Sequence, residues 1–123
     1  RPSLRYFLHR SFDGEVDPGL LDYAWVTTHQ PGARFAPLYF ISGQLFTRNA
    51  LAALYQRITQ PTLVVYDRDG FVSCDALPML LAERKNWQAR RVTPTRGLPQ
   101  FERLGDTTRA LRAFWSEVAV PQA

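Results

Sequence analysis

The spacing of apolar positions changes near Pro61: before it apolar residues recur at helical intervals, and after it strand-like and helix-like segments alternate. Leu4, Phe7 and Leu8 fall at i, i+3 and i+4 and predict a short amphipathic helix over 2–11, ended by Asp13-Gly14. Asp17-Pro18 reads as the next helix start, a capping carboxylate followed by a proline whose missing N–H costs nothing at the first helical position. Leu21, Ala24, Trp25 and Thr28 share one face of that helix, and Pro31-Gly32 closes it. Residues 33–46 carry Phe35, Leu38, Tyr39, Phe40, Ile41, Leu45 and Phe46 on more than one side. This predicts a helical segment that is buried on several sides or faces a cavity, with Gly43 as its weak point. Thr47 is the predicted cap of a further helix in which Leu51, Leu54, Tyr55 and Ile58 repeat at i, i+3, i+4 and i+7.

Beyond Pro61 the run Thr62-Leu63-Val64-Val65-Tyr66 is rich in β-formers and ends on Asp67-Arg68-Asp69-Gly70. An apolar run of this kind suits a strand covered on both faces, as in a parallel sheet, where ligands gather beyond the carboxyl ends of the strands. A helix over 76–84 follows, with Asp75 as its cap and Pro78 at the third helical position, where a backbone N–H would be unpaired anyway. A second strand is predicted over 88–93 and a loop over 94–104. Asp106 then caps a last helix with Leu111, Phe114, Trp115 and Val118 on one face. Strand, helix, strand is a βαβ unit, so the fold class is α/β. Two strands do not make a stable sheet alone, and the expectation is that the missing neighbours come from an upstream part of a longer chain or from another subunit. A start at Arg1, with no signal-like segment after it, fits that expectation.

Composition narrows the function classes. The 123 residues, 46% of them hydrophobic, suffice for one core, and no apolar run is long enough to span a bilayer, so no membrane partner is expected. The formal charge of +4 rests on dispersed arginines, with Lys85 the only lysine and Arg90-Arg91 the only adjacent arginine pair. That pattern lacks the one-sided clustering of a nucleic-acid footprint. Cys74 is the single cysteine, which rules out an internal disulfide and points to a reducing, cytoplasmic compartment. With His9 and His29 as the only histidines, no metal and no cofactor are expected.

The block from Gln60 to Trp115 resembles the carboxy-terminal part of an α/β-hydrolase. In that family a proline introduces the penultimate strand and an acidic residue follows its end. A helix and the last strand then lead to a loop reading G-H-x-P, an aromatic and a glutamate, before a closing helix. Here the loop is Thr95-Arg96-Gly97-Leu98-Pro99-Gln100-Phe101-Glu102 and the closing helix carries Leu111-Arg112-Ala113-Phe114-Trp115. The resemblance makes residues 1–59 a helical lid-like region and residues 60–120 the β-α-β-α end of the core. It assigns Asp69 as the triad acid that orients the catalytic histidine. It also places Gly97 where that histidine stands, and the chain has no G-x-S-x-G nucleophile elbow. The expected function is ester or amide hydrolysis by the full-length protein on an unidentified small molecule, with this chain catalytically incomplete. A hydrolase scaffold that only binds a ligand or partner is the alternative.

Val64-Val65-Tyr66-Asp67-Arg68-Asp69-Gly70 is also similar to the strand-D-x-D-G signature of haloacid-dehalogenase-like phosphatases. That resemblance would make Asp67 a nucleophile and Asp69 an acid/base beside Mg²⁺. The motif opens the domain in that family, and Lys85 comes too early for its lysine. Aspartates followed by glycine after a strand are also ordinary turn residues.

Overall fold

The computed structural model describes residues 2–119 and shows a mixed helix–strand chain with a small parallel sheet. Helix α1 spans Pro2–His9 and α2 spans Pro18–Thr28. The Asp17 carboxylate accepts from the Leu20 N–H at 2.7 Å, so this cap forms as the sequence predicts. On α1, Leu4 and Leu8 are half-buried, but Phe7 is 64% exposed. On α2, Leu21, Ala24 and Trp25 turn partly inward, whereas Thr28 faces out.

The long helical segment expected over 33–46 is shorter and not buried. Helix α3 covers only Phe35–Ile41. Gly43, at φ 73°, ends it: the Gly43 N–H reaches the Phe40 carbonyl and the Gln44 N–H reaches the Tyr39 carbonyl, both at 3.0 Å. This is a glycine-terminated C-cap, so the residue that weakens the helix is the one that stops it. Every residue of 34–49 is exposed. The helix expected from Thr47 is likewise cut to a single turn, α4 at Ala50–Ala53, preceded by Asn49 at φ 52° and followed by a 3-10 turn over Tyr55–Arg57. Asn49, not Thr47, holds the cap position and makes no side-chain cap bond. A few residues without a packed face to rest on do not sustain a helix by propensity alone.

Strand β1 is Thr62–Tyr66 and β2 is Trp87–Arg91, paired in parallel from Thr62 opposite Trp87 to Tyr66 opposite Arg91. The second strand starts one residue before the expected 88–93 and stops two short. All of β1 is half-buried, so the full cover that its apolar run implies is not supplied by the described residues. Asn86 fixes the entry to the sheet: its side-chain NH₂ donates to the carbonyls of Ile58 and Gln60, and its own carbonyl accepts from Thr62 at 2.8 Å. Helix α5 at Leu77–Glu83 connects the strands. Asp75 does not cap it; Ala76 holds that position and Pro78 falls within the first two helical residues.

A short helix α6 at Pro99–Glu102, inside the expected loop, leads to α7 at Leu104–Ala119. Asp106 lies in the first turn of α7, paired with Arg109, instead of preceding the helix as its cap. The last helix half-buries Leu111 and Phe114, while Trp115 is 60% exposed. The innermost apolar residues are Phe12, Val16, Leu77, Trp87 and Val92. Two buried threonines are satisfied within them, Thr95 donating to the Val92 carbonyl at 2.8 Å and Thr107 to that of Pro99 at 3.1 Å. Among the described residues no helix is long and apolar enough to cross a membrane.

Candidate active site

Loops converge beyond the carboxyl ends of the strands. Residues 67–72 leave β1, residues 92–98 leave β2, and the turn at Asp13-Gly14 comes up from α1. Glu102 of α6 ties these together: Oε1 accepts from the N–H groups of Asp13 at 2.6 Å and Gly14 at 3.2 Å, and Oε2 accepts from that of Arg96 at 2.8 Å. Arg68 adds an ion pair to Asp13 at 2.6 Å. The loop expected to contribute chemistry is therefore held by the glutamate that ends its own motif.

Asp67 and Asp69, adjacent in the sequence pattern, have different environments. The Asp67 side chain is fully shielded from solvent, with Oδ1 accepting from Arg91 Nε at 2.7 Å and Oδ2 from the Thr95 N–H at 2.9 Å. Burial pushes this carboxyl up, but the bonds from the Thr95 backbone, Arg91 and the Thr93 side chain together hold it below the usual value. Asp67 is thus an ionised clamp between the two strand ends. Both oxygens are taken by protein donors, and among the described residues no three histidine, cysteine or carboxylate side chains gather to hold a metal ion. The residues present do not fit a Mg²⁺ site with Asp67 as nucleophile.

Asp69 is exposed. Its Oδ1 accepts from the N–H groups of Phe71 at 2.7 Å and Val72 at 3.2 Å, closing a turn of the kind aspartate makes two residues ahead of itself. Its Oδ2 faces Gly97: a side chain built there would begin 3.2 Å from that oxygen. Gly97 has φ 154°, a conformation glycine adopts without penalty. Val64, Val65, Val72, Cys74 and Pro99 wall the adjoining cleft of about 200 Å³. No histidine lines it. His9 lies among Arg5, Tyr6, Arg10 and Arg96 in a separate depression, and the His29 ring lies tilted against Trp25 with ring centroids 4.1 Å apart. The structure therefore brings Asp69 and Gly97 together and leaves both histidines outside the cleft.

Sequence reasoning did not assign roles to Arg91, Thr95 or Glu102. The acidic end of the P-Q-F-E run was the one available signal for Glu102, while Arg91 and Thr95 become partners of Asp67 only through the strand register. Comparison with protein-family models, with curated proteins and with solved structures gives no match to this chain.

Proposed function

We propose that this chain is the lid-like and carboxy-terminal part of an α/β-hydrolase-type protein, with Asp69 in the position of the triad acid and Gly97 in that of the histidine. The single observation that supports this reading is the approach of Asp69 Oδ2 to Gly97 across the ends of two parallel strands, one strand delivering each residue. An acid of this kind works by orienting an imidazole and stabilising its charged form. Glycine supplies no base, so the chain by itself moves no proton for acyl transfer. The serine nucleophile, and the sheet neighbours that β1 lacks, come from an upstream part of the protein or from another subunit.

The cleft suggests a direct test, because imidazole is small enough to stand where the histidine side chain is missing. The full-length gene product is assayed on p-nitrophenyl acetate with and without imidazole. The expected result is a rate about a hundredfold above that of the same concentration of imidazole without protein, the low end of general acid–base effects. Asp69→Asn should remove that gain. A rate above that of free imidazole that survives Asp69→Asn would sink the assignment. The glycine also favours a second reading, a scaffold that binds a ligand without turning it over, and that reading predicts no hydrolysis beyond what free imidazole produces.

A further inference from the structure

Three arginines of this chain gather in one place without a counter-charge. Along α1 and the turn after it, Pro2, Arg5, Tyr6, His9 and Arg10 fall at i, i+3, i+4, i+7 and i+8, the spacing of one helical face. Arg96 comes to the same face from the loop after β2, and the six residues line an open depression of about 460 Å³. The backbone of Arg96 is fixed there: its N–H donates to Glu102 Oε2, while Glu102 Oε1 accepts from Asp13 and Gly14 just past α1. Distant in the sequence, Arg96 joins Arg5 and Arg10 only in the fold.

Elsewhere the chain pairs its arginines. Arg68 meets Asp13, Arg90 meets Glu117, Arg91 meets Asp67 and Arg109 meets Asp106. Among the described residues Arg5, Arg10 and Arg96 have no carboxylate partner, and no aspartate or glutamate lines the depression. The Arg10 guanidinium lies 5.7 Å from the centre of the Phe71 ring, a contact that does not cancel its charge. Like charges brought together repel, so an anion that joins them stabilises the arrangement. Guanidinium forks match the oxygens of phosphate, and three of them suit a dianion better than a single carboxylate. The volume falls in the range of small-molecule sites and exceeds what a bare phosphate needs, and the Tyr6 ring and Pro2 give an apolar wall for the rest of a ligand.

We infer that this depression binds a phosphate monoester, with the phosphate on Arg5, Arg10 and Arg96 and the organic group against Tyr6 and Pro2. Arg96 also lines the neighbouring depression that holds Asp69 and Cys74, so the bound ester lies beside the candidate active site. The binding uses neither Asp69 nor Gly97 and stands or falls apart from the hydrolase reading.

The test is calorimetric titration of the full-length gene product with phenyl phosphate, inorganic phosphate and phenol. Phenyl phosphate should bind, inorganic phosphate should bind about tenfold more weakly for want of the apolar contact, and phenol should not bind. Arg5→Gln and Arg96→Gln should each raise the Kd for phenyl phosphate about tenfold, and Arg5→Gln with Arg10→Gln about a hundredfold. Arg112→Gln removes the same charge at an exposed position of α7 outside the depression, and screening should keep its Kd within about twofold of the parent. Arg5 and Arg10 are exposed, so circular dichroism should show their variants folded, and these decide the outcome even where Arg96→Gln, at a half-buried position, does not fold. Absence of phenyl phosphate binding overturns the inference, as does a Kd that the Arg5/Arg10 change leaves alone or that Arg112→Gln raises equally. Inorganic phosphate binding as tightly as phenyl phosphate overturns the ester assignment. Displacement of phenyl phosphate by a short oligothymidylate at lower concentration would make the site a nucleic-acid contact, which also overturns it.

Discussion

The two aspartates that end β1 show how little a residue's type says about its task. Asp67 has every oxygen occupied and no contact with solvent, and its role is to hold two strand ends together. Its depressed pKa means that it contributes stability above the carboxylate's unfolded value of about 3.9, and that this contribution is lost as pH falls through the lower folded value. Asp67→Asn is therefore expected to cost about 1–2 kcal/mol near neutral pH, a charged hydrogen bond discounted for the solvent around Arg91. In urea titrations the gap between variant and parent should narrow steadily below about pH 4. A gap that stays constant down to pH 2 would contradict the clamp. Among the described residues Asp69 keeps one oxygen free of hydrogen bonds, facing Gly97, because its turn uses only the other.

At the scale of elements, hydrophobic spacing predicted where helices begin better than how far they run. The cap at Asp17 and the strand at Thr62–Tyr66 are local features, set by one carboxylate geometry and by a run of β-formers, and both form. The helix expected over 33–46 stops early at Gly43, and the one expected from Thr47 starts only after Asn49 and ends at Ala53, because no packed neighbour repays the order of further turns. Elements that do persist are joined by side chains from afar. Glu102 accepts from the N–H groups of Asp13, Gly14 and Arg96, so α6 fastens the end of α1 to the loop after β2. Glu102→Ala leaves those donors to water or to nothing, and a loss of about 2–3 kcal/mol is expected. Hydrogen exchange should read it as faster exchange at Asp13, Gly14 and Arg96, with α2 amides changed only in line with global stability.

For the whole molecule, the apolar residues exceed what the described fold covers. Besides the patch at 34–49, a groove of about 620 Å³ runs between the sheet, the 3-10 turn and α5, walled by Leu51, Tyr55, Ile58, Leu63, Leu80 and Trp87 among others. A native chain with such a groove should enhance the fluorescence of an apolar dye such as ANS at pH 7, well below its unfolding transition. Met79→Glu, at an exposed position on the groove wall, should reduce that enhancement severalfold, and no change would argue that the dye binds elsewhere. The half-buried β1 belongs to the same picture, since a strand of this composition gains most when both faces and its free edge are covered.

The α/β character, the parallel order implied by strand, helix, strand, and the placement of Asp67 and Asp69 at a strand end were legible from the residues alone. Those features follow from periodicity and local hydrogen bonding, which act over a few residues. Tertiary structure alone decided that Asp67 is locked by Arg91 and Thr95, that Asp69 meets Gly97, and that residues 34–49 lie outside and not within a core. Each of these depends on segments far apart in the chain arriving in one place, and strand register and burial, not spacing, fix that outcome.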